Sequence, residues 1–151
     1  MKTWLFTWNP DRWAWDDDIT GYKEMKNDID EVGFAYGKWS CGVNKSIVEG
    51  DRIFLIRLGR KERGIVASGY AASGVLEGIH WDIDKRAEGK KARRIYIKFD
   101  HIIDDMDKIL KYDDLKIISD TMAWSAQASG ISIPDEVAEV LEDEWKKCNN
   151  L

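Results

Sequence analysis

The segment from Arg52 to Leu58 constrains the fold more than any other part of the chain. Its sequence, RIFLIRL, is an almost continuous apolar run that follows a Gly50-Asp51 turn. A strand that is buried on both faces shows such a run, whereas a half-exposed strand alternates apolar and polar residues. The run therefore predicts an interior strand in a sheet that is covered on both sides.

Four further segments, 3–9, 35–42, 64–76 and 94–103, have the composition or alternation of strands. Gly69 and Gly74 indicate bulges or close backbone approach in the third of them. Helical spacing predicts helices over 19–32 and 113–118, and Pro134 opens a last helix at a first-turn position. Residues 77–92 and 119–133 read as loops. About five short, bent strands flanked by two or three helices favour an α+β fold built on a small mixed β-barrel.

The bulk properties fit one domain over residues 1–151. This length is enough to bury a substantial core. No stretch approaches the ~20 apolar residues that cross a bilayer, and the N-terminus, MKTWLFTWNP, is too short and too aromatic for a signal peptide. We therefore expect a cytoplasmic protein with no membrane partner, in which Cys41 and Cys148 are free thiols.

The net charge of −5 is unevenly distributed. Residues 57–98 carry 11 basic and 5 acidic side chains, whereas residues 99–151 carry 5 basic and 13 acidic ones. The basic segment is either a local phosphate-binding surface or a solvated loop with a basic bias. If the chain binds DNA, few phosphate contacts are available, and the affinity should be modest and sensitive to salt.

The sequence offers no recognisable catalytic or metal-binding set. His80 and His101 are the two histidines, and neither lies in a nucleophile motif or at zinc-ligand spacing from a cysteine. The acidic runs 16–18 and 104–107 follow no calcium-loop pattern, and no nucleotide-binding glycine motif is present. We expect a binding module with no catalytic residue, no metal and no cofactor.

Eight tryptophans are many for 151 residues. Most are expected in the core, but a few at strand ends and in irregular chain would suit a ligand cleft, because aromatic faces stack on nucleobases. The candidates are Trp8-Asn9-Pro10, Trp39-Ser40, Trp124 and the segment 127–130 (QASG). Each has an ordinary structural explanation alone, and their joint occurrence at element ends favours a cleft.

These residues also carry a family resemblance. The segments WLF…NP at 4–10, KWSCG at 38–42, GDRIFLIRLG at 50–59, RGIVASG at 63–69, HWD at 80–82 and QASGISIP at 127–134 resemble the EVE domain over residues 3–145. The sequence is most similar to EVE domains joined to HNH nucleases in modification-dependent restriction enzymes. The resemblance implies a PUA-like barrel, related to the YTH readers of methylated RNA, that flips a modified base into an aromatic cage.

The resemblance implies DNA with 5-methylcytosine or 5-hydroxymethylcytosine as the partner, with a nuclease domain or subunit as a second one. Carried over by position, the base-binding residues are Trp8, Asn9, Trp39, Ser40, Trp124, Gln127 and Ser129. The expected backbone-binding residues are Lys45, Arg57, Arg60, Lys61 and Arg93. A residue 39 packed in the interior with no cavity beside it would contradict this hypothesis.

Three alternatives stay open at this point. A YTH-like reader would prefer single-stranded methylated RNA over duplex DNA. A small-ligand or protein-interaction domain would use the cleft without binding a base. A free-standing enzyme would need a catalytic set that the sequence does not display.

Overall fold

A computed structural model describes residues 1–12, 15, 22–79, 82–126 and 128–151. In these ranges the strands are β1 (Thr3–Trp8), β2 (Ala35–Ser40), β3 (Arg52–Arg57), β4 (Gly64–Ala71), β5 (Leu76–Ile79), β6 (Lys91–Ile102), β7 (Leu110–Lys111) and β8 (Ile131–Ile133). The helices are α1 (Tyr22–Val32), α2 (Ile83–Ala87), α3 (Tyr112–Ile118) and α4 (Asp135–Asn149), with a 3₁₀ turn at Met106–Lys108.

The strands form one mixed sheet with β3 in an interior position. The order is β2-β6-β4-β3-β1-β8, with β5 paired to β6 and β7 paired to β4. The β1–β3 pair is parallel, and the other pairs are antiparallel. All six residues of β3 are buried. This confirms the prediction, made from its apolar run, of a strand covered on both faces.

Irregularities between neighbouring strands curl the sheet. The register shifts between β3 and β4 at Leu55/Ile56, and between β4 and β6 at Ser68/Gly69. A Cβ on Gly69 would collide with the backbone of Lys98 and Phe99, so the close approach predicted from this glycine is confirmed. Bulges of this kind bend a strand and increase its twist. As a result β2, at one end of the strand order, comes beside β1 near the other end.

The predicted elements are largely confirmed, and the corrections concern short ones. The five predicted strands correspond to β1–β4 and β6, but the described chain also contains β5, β7 and β8, of four, two and three residues. Residues 77–92 were expected as a loop and instead contain β5 and α2. The first residues of the predicted 19–32 helix, with the acidic run 16–18 before it, lie outside the described residues. Pro134 precedes the last helix as its N-cap, one residue before the first-turn position that was predicted.

A buried arginine ties α4 to the sheet. Arg52 on β3 pairs with both carboxylate oxygens of Glu142 on α4, at 2.6 and 3.0 Å, and with Asp100 on β6 at 2.9 Å. Its guanidinium also lies 4.7 Å from the ring centroid of Tyr70. Two carboxylates and a ring face compensate a charge that would otherwise be costly to bury. In the described part of the chain, no helix is long and apolar enough to span a membrane.

Asp51 anchors the start of β1 against the turn before β3. Its carboxylate accepts hydrogen bonds from the indole N–H of Trp4 at 2.8 Å and from the backbone N–H groups of Lys2 and Val48, both at 3.1 Å. Burial by itself would raise the pKa of this carboxyl, but the hydrogen bonds outweigh burial and hold the pKa below its ordinary value. The ionised form of Asp51 therefore stabilises the fold.

We expect Asp51→Asn to lower the free energy of unfolding by about 1–3 kcal/mol at pH 7, because three donors lose a charged acceptor. The stabilisation by Asp51 is complete above its unfolded pKa of about 3.9 and is lost as the pH falls through the lower pKa of the folded state. Urea unfolding of both proteins across that range measures the difference. Asp104→Asn is the control, since Asp104 is exposed and bonded to Lys108, and it should cost ~0.5 kcal/mol or less. Equal penalties for the two variants would contradict the assignment.

Candidate functional site

An open cleft of ≈1160 Å³ lies where β2 comes beside β1. Strands β1, β2 and β6 contribute Thr7, Trp39, Ser40 and Arg94 to its wall. Three irregular segments complete it, around 42–43, 89–90 and 128–129. Beyond Leu5 the edge of β1 no longer pairs with β8, and Thr7 on this unpaired part of the edge lines the cleft.

Trp39 forms the aromatic wall of the cleft. Only 6% of its surface is exposed, yet the residue lines the open volume. Its indole N–H donates to the carbonyl of Thr7 at 3.2 Å, and the ring packs edge-on against Trp15 and Phe99, with centroids 5.2 and 6.0 Å away. These contacts fix the orientation of the ring. The structure therefore does not meet the condition, an interior residue 39 without a cavity, that would contradict the base-binding hypothesis.

The loop at 128–130 closes one side of the cleft through hydrogen bonds to β1 and to the turn after β2. Ser129 Oγ accepts from the Thr7 N–H at 3.0 Å, and the Gly130 N–H donates to the carbonyl of Leu5 at 3.0 Å. The side-chain amide of Asn44 donates to the carbonyl of Gly130 at 2.6 Å. Gly130 has φ +81°, and a Cβ there would lie 2.9 Å from the Cβ of Asn44. Glycine is required at this position both by conformation and by space.

The rim of the cleft is strongly basic. Its charged residues are Lys38, Lys85, Lys90, Lys91, Arg93 and Arg94, together with one acid, Glu77. Glu77 pairs with Arg93 at 3.3 Å. Five of the eleven basic residues of 57–98 lie at this opening, namely Lys85, Lys90, Lys91, Arg93 and Arg94. Sequence reasoning missed Thr7 and Lys38 as site residues, although Lys38 lies in the KWSCG motif.

Four of the predicted site residues meet at the cleft: Trp39, Ser40, Ser129 and Arg93. Trp124 does not, because its ring is 1% exposed and its N–H donates to the carbonyl of Ser119 at 2.9 Å. Asn9 does not either, since its Oδ1 accepts from the Asp11 N–H at 2.9 Å and so serves its own turn. Gln127 lies outside the described residues. Among the described residues, the predicted aromatic cage is thereby reduced to the single indole of Trp39.

Trp8 and Arg57 border a second, smaller cavity of ≈390 Å³. Arg57 is buried, its Nη1 donates to the carbonyl of Glu62 at 2.6 Å, and its guanidinium lies 5.5 Å from the ring centroid of Trp8. Lys61 also lines this cavity. Arg60 is held near the first turn by Asp11 at 3.5 Å, and Lys45 is exposed outside the cleft lining. The structure therefore does not bring these four predicted backbone-binding residues to the cleft.

Cys41 and His101 do not line the cleft. Burial raises the pKa of the neighbouring Cys41 thiol, which keeps it protonated and weakly nucleophilic near neutral pH. The Nε2 of His101 lies 2.9 Å from Asn149 Oδ1, and its ring packs against Trp145. Among the described residues, no group of three or more histidine, cysteine or acidic side chains is placed to hold a metal ion. His80 and Trp81 lie outside the described residues.

Comparison with known proteins gives a match in structure and none in sequence. No protein-family model and no curated protein matches the chain. The structure is similar to human THYN1 protein in complex with 5-methylcytosine containing DNA, with a TM-score of 0.66 and 16% identity over 95% of this chain and 98% of that chain. A hypothetical protein from Leishmania major has a TM-score of 0.63 and 14% identity, covering 97% and 96% of the two chains. ASCH from Zymomonas mobilis has a TM-score of 0.54 and 13% identity, covering 94% of each.

These likenesses define the fold class. The mixed sheet with flanking helices is a PUA-like fold, as predicted from the sequence. At such identities the likeness establishes the fold alone.

We expect Gly130→Ala to lower the free energy of unfolding by about 1–3 kcal/mol, since a side chain is strained at this φ and crowds Asn44. Gly78→Ala is the matched control, because no atom lies within 4 Å of a Cβ at that position on β5 and its φ is outside the left-handed region. Urea unfolding of the two variants checks the difference. Comparable stabilities for Gly130→Ala and Gly78→Ala would show that the 128–130 loop is not held as described.

Proposed function

We propose that this chain is a DNA-binding module that accepts a modified cytosine, flipped out of the duplex, in the cleft beside Trp39. The observation that carries the proposal is that Trp39, held by Thr7, Trp15 and Phe99, lies in the wall of an open cleft with a basic rim. The likeness to human THYN1, whose structure is a complex with 5-methylcytosine-containing DNA, supports the same ligand class. The motifs shared with EVE domains support it independently.

The polar groups around Trp39 suit the edge of a pyrimidine. Because Ser129 Oγ accepts from the Thr7 N–H, its hydroxyl proton is directed elsewhere and can donate to a base oxygen. Ser40 supplies a second hydroxyl to the lining of the cleft, and its Oγ accepts from the Gly42 N–H at 3.4 Å. Hydrogen bonds and stacking of this kind offset the few kcal/mol that extrusion of a base costs.

The cleft also has apolar surface for a methyl group. Val43 and Ala128 line it beside the polar residues. An apolar niche discriminates a single methyl by only about 1–3 kcal/mol. The module should therefore prefer the modified base without excluding plain cytosine.

The finer form of the proposal follows the family resemblance. In this finer form, the chain supplies base specificity to an HNH-type nuclease domain or subunit in a restriction system, and the chain itself performs no reaction. Trp39, Ser40 and Ser129 are the proposed base contacts. Gln127 is a further proposed contact through the segment it shares with Ser129.

We expect duplexes with 5-methylcytosine or 5-hydroxymethylcytosine to bind at least ~10-fold more tightly than the matched duplex with plain cytosine. Tryptophan fluorescence at low salt measures the three affinities.

We expect Trp39→Phe to lower the affinity for the modified duplex about 5-fold or more. The phenyl ring keeps an aromatic wall, but the variant loses ring area and the hydrogen bond to Thr7.

Trp124→Phe is the matched control, the same substitution in the core away from the cleft. It should lower stability and leave the affinity of the folded protein unchanged. Equal curves for the three duplexes would refute modified-cytosine recognition, and tighter binding of single-stranded methylated RNA would identify an RNA reader instead.

We expect the rim to contact phosphates. The double variant Lys91→Gln with Arg94→Gln should lower the affinity for modified and plain duplexes by the same factor. It should also make the slope of log K against log [salt] shallower by about 0.9 for each lost phosphate contact. Lys116→Gln with Lys146→Gln removes the same charge from α3 and α4. A control pair that changed the slope as much as the rim pair would show that net charge matters and the rim does not.

A further inference from the structure

The outer face of the sheet beside the cleft carries exposed tyrosines and lysines. We define this tyrosine face by Tyr36 and Lys38 on β2, Tyr96 and Lys98 on β6, and Tyr70 on β4. The three tyrosines are 57%, 40% and 39% exposed. The alternate residues of the same strands, such as Trp39, Ile97 and Phe99, point inward and are buried.

Strand register places these residues in adjoining rows. Tyr36 and Tyr70 both pair with Lys98, which gives a row of ring, ammonium and ring across three strands. The next row pairs Lys38 with Tyr96, about 7 Å along the strands. A third row pairs Ser40 with Arg94, and these two residues line the cleft. The tyrosine face is therefore continuous with the cleft through Lys38, which belongs to both.

The charge of the face is positive although the chain as a whole is acidic. Lys38 Nζ lies 5.5 Å from the ring centroid of Tyr96, and Lys98 Nζ lies 4.3 Å from that of Phe34. The acid next in line on β6, Asp100, is paired with Arg52 beneath Tyr70. Both lysine side chains are long and exposed, so their ammonium groups can turn away from these rings to contact a phosphate. The exposed tyrosine ring faces are then available to bases.

From this arrangement we propose that the tyrosine face binds an unpaired DNA strand that continues from the cleft, with bases stacked on Tyr36 and Tyr96 and phosphates held by Lys38 and Lys98. Exposed aromatic rings interleaved with cations on a sheet are the chemistry that single-stranded nucleic acids require. An acidic protein surface would use the lysines but would gain little from three exposed rings. The inference rests on the proposed function, since the strand is the one that leaves the occupied cleft.

The test uses duplexes with a 5-methylcytosine near one end, either blunt or extended by a thymidine overhang of about eight nucleotides on the 5′ or the 3′ side. We expect one overhang to tighten binding about 5- to 30-fold. Tyr36→Leu with Tyr96→Leu should abolish that gain and leave blunt-duplex affinity and base preference unchanged. Lys98→Gln should reduce the salt slope of the overhang duplex by about 0.7.

The matched controls are Ile117→Ala with Val140→Ala, exposed apolar side chains on α3 and α4, and Lys116→Gln. They should preserve the overhang gain. If neither overhang raised the affinity while the protein still preferred the modified blunt duplex over the plain one, the role of the tyrosine face would be refuted and the proposed function would stand. Equal loss of blunt and extended binding in the tyrosine variant would also overturn it, as would competition by polyglutamate that equals that of oligothymidine.

Discussion

The hydrogen bond from the indole of Trp39 to the carbonyl of Thr7 joins β2 to β1, strands that are separated by three others in the sheet. It has two consequences. The curled sheet is held closed at this point without a backbone ladder between the two strands, so an open cleft remains beside the contact. The same bond fixes the ring that forms the wall of that cleft. Fold closure and site geometry therefore share one side chain, supported by Trp15 and Phe99, and the 128–130 loop adds a second bridge between β1 and the turn after β2.

The fold also separates charge. The basic middle of the sequence forms β4, β5, α2 and most of β6, and six of its eleven cations line the cleft or belong to the tyrosine face. The acidic last third supplies much of α3 and α4, and none of its acidic side chains lines the cleft. A protein of net charge −5 can thus present a local positive surface to phosphates, and long-range repulsion of DNA is limited by screening over about 8–10 Å at physiological salt.

Much of the fold was predictable because its main strands carry strong local signals. The apolar run of β3, the alternation of β6 and the glycine at the β4 bulge each specify their own environment. The short strands β5, β7 and β8 carry no such signal, since two to four residues become strands only through partners distant in sequence. Residues 77–92 are an example. They were predicted to form a loop, but 77–79 are part of β5, which is a strand because it pairs with β6.

The site was less predictable, because sequence does not show which tryptophan faces a cavity. Trp39 and Trp124 are both almost fully buried, and only the curl of the sheet places one of them beside open volume. Arg57 was expected at a phosphate but is held inside by the Glu62 carbonyl and Trp8. Thr7 matters through its backbone groups, which no residue pattern reveals. The family resemblance drew attention to the 38–42 and 127–130 segments, and the structure brings residues 39, 40, 128 and 129 of these segments together at the cleft.

The central claim is that an everted modified base lies against the Trp39 ring. A duplex with ¹³C in the 5-methyl group of its methylcytosine reports this directly, since the methyl resonance responds to the ring current of an adjacent indole. The account predicts a large shift of that resonance on binding, which disappears in the complex with Trp39→Leu. A methyl resonance that keeps its free-duplex position while the DNA is fully bound would contradict the account.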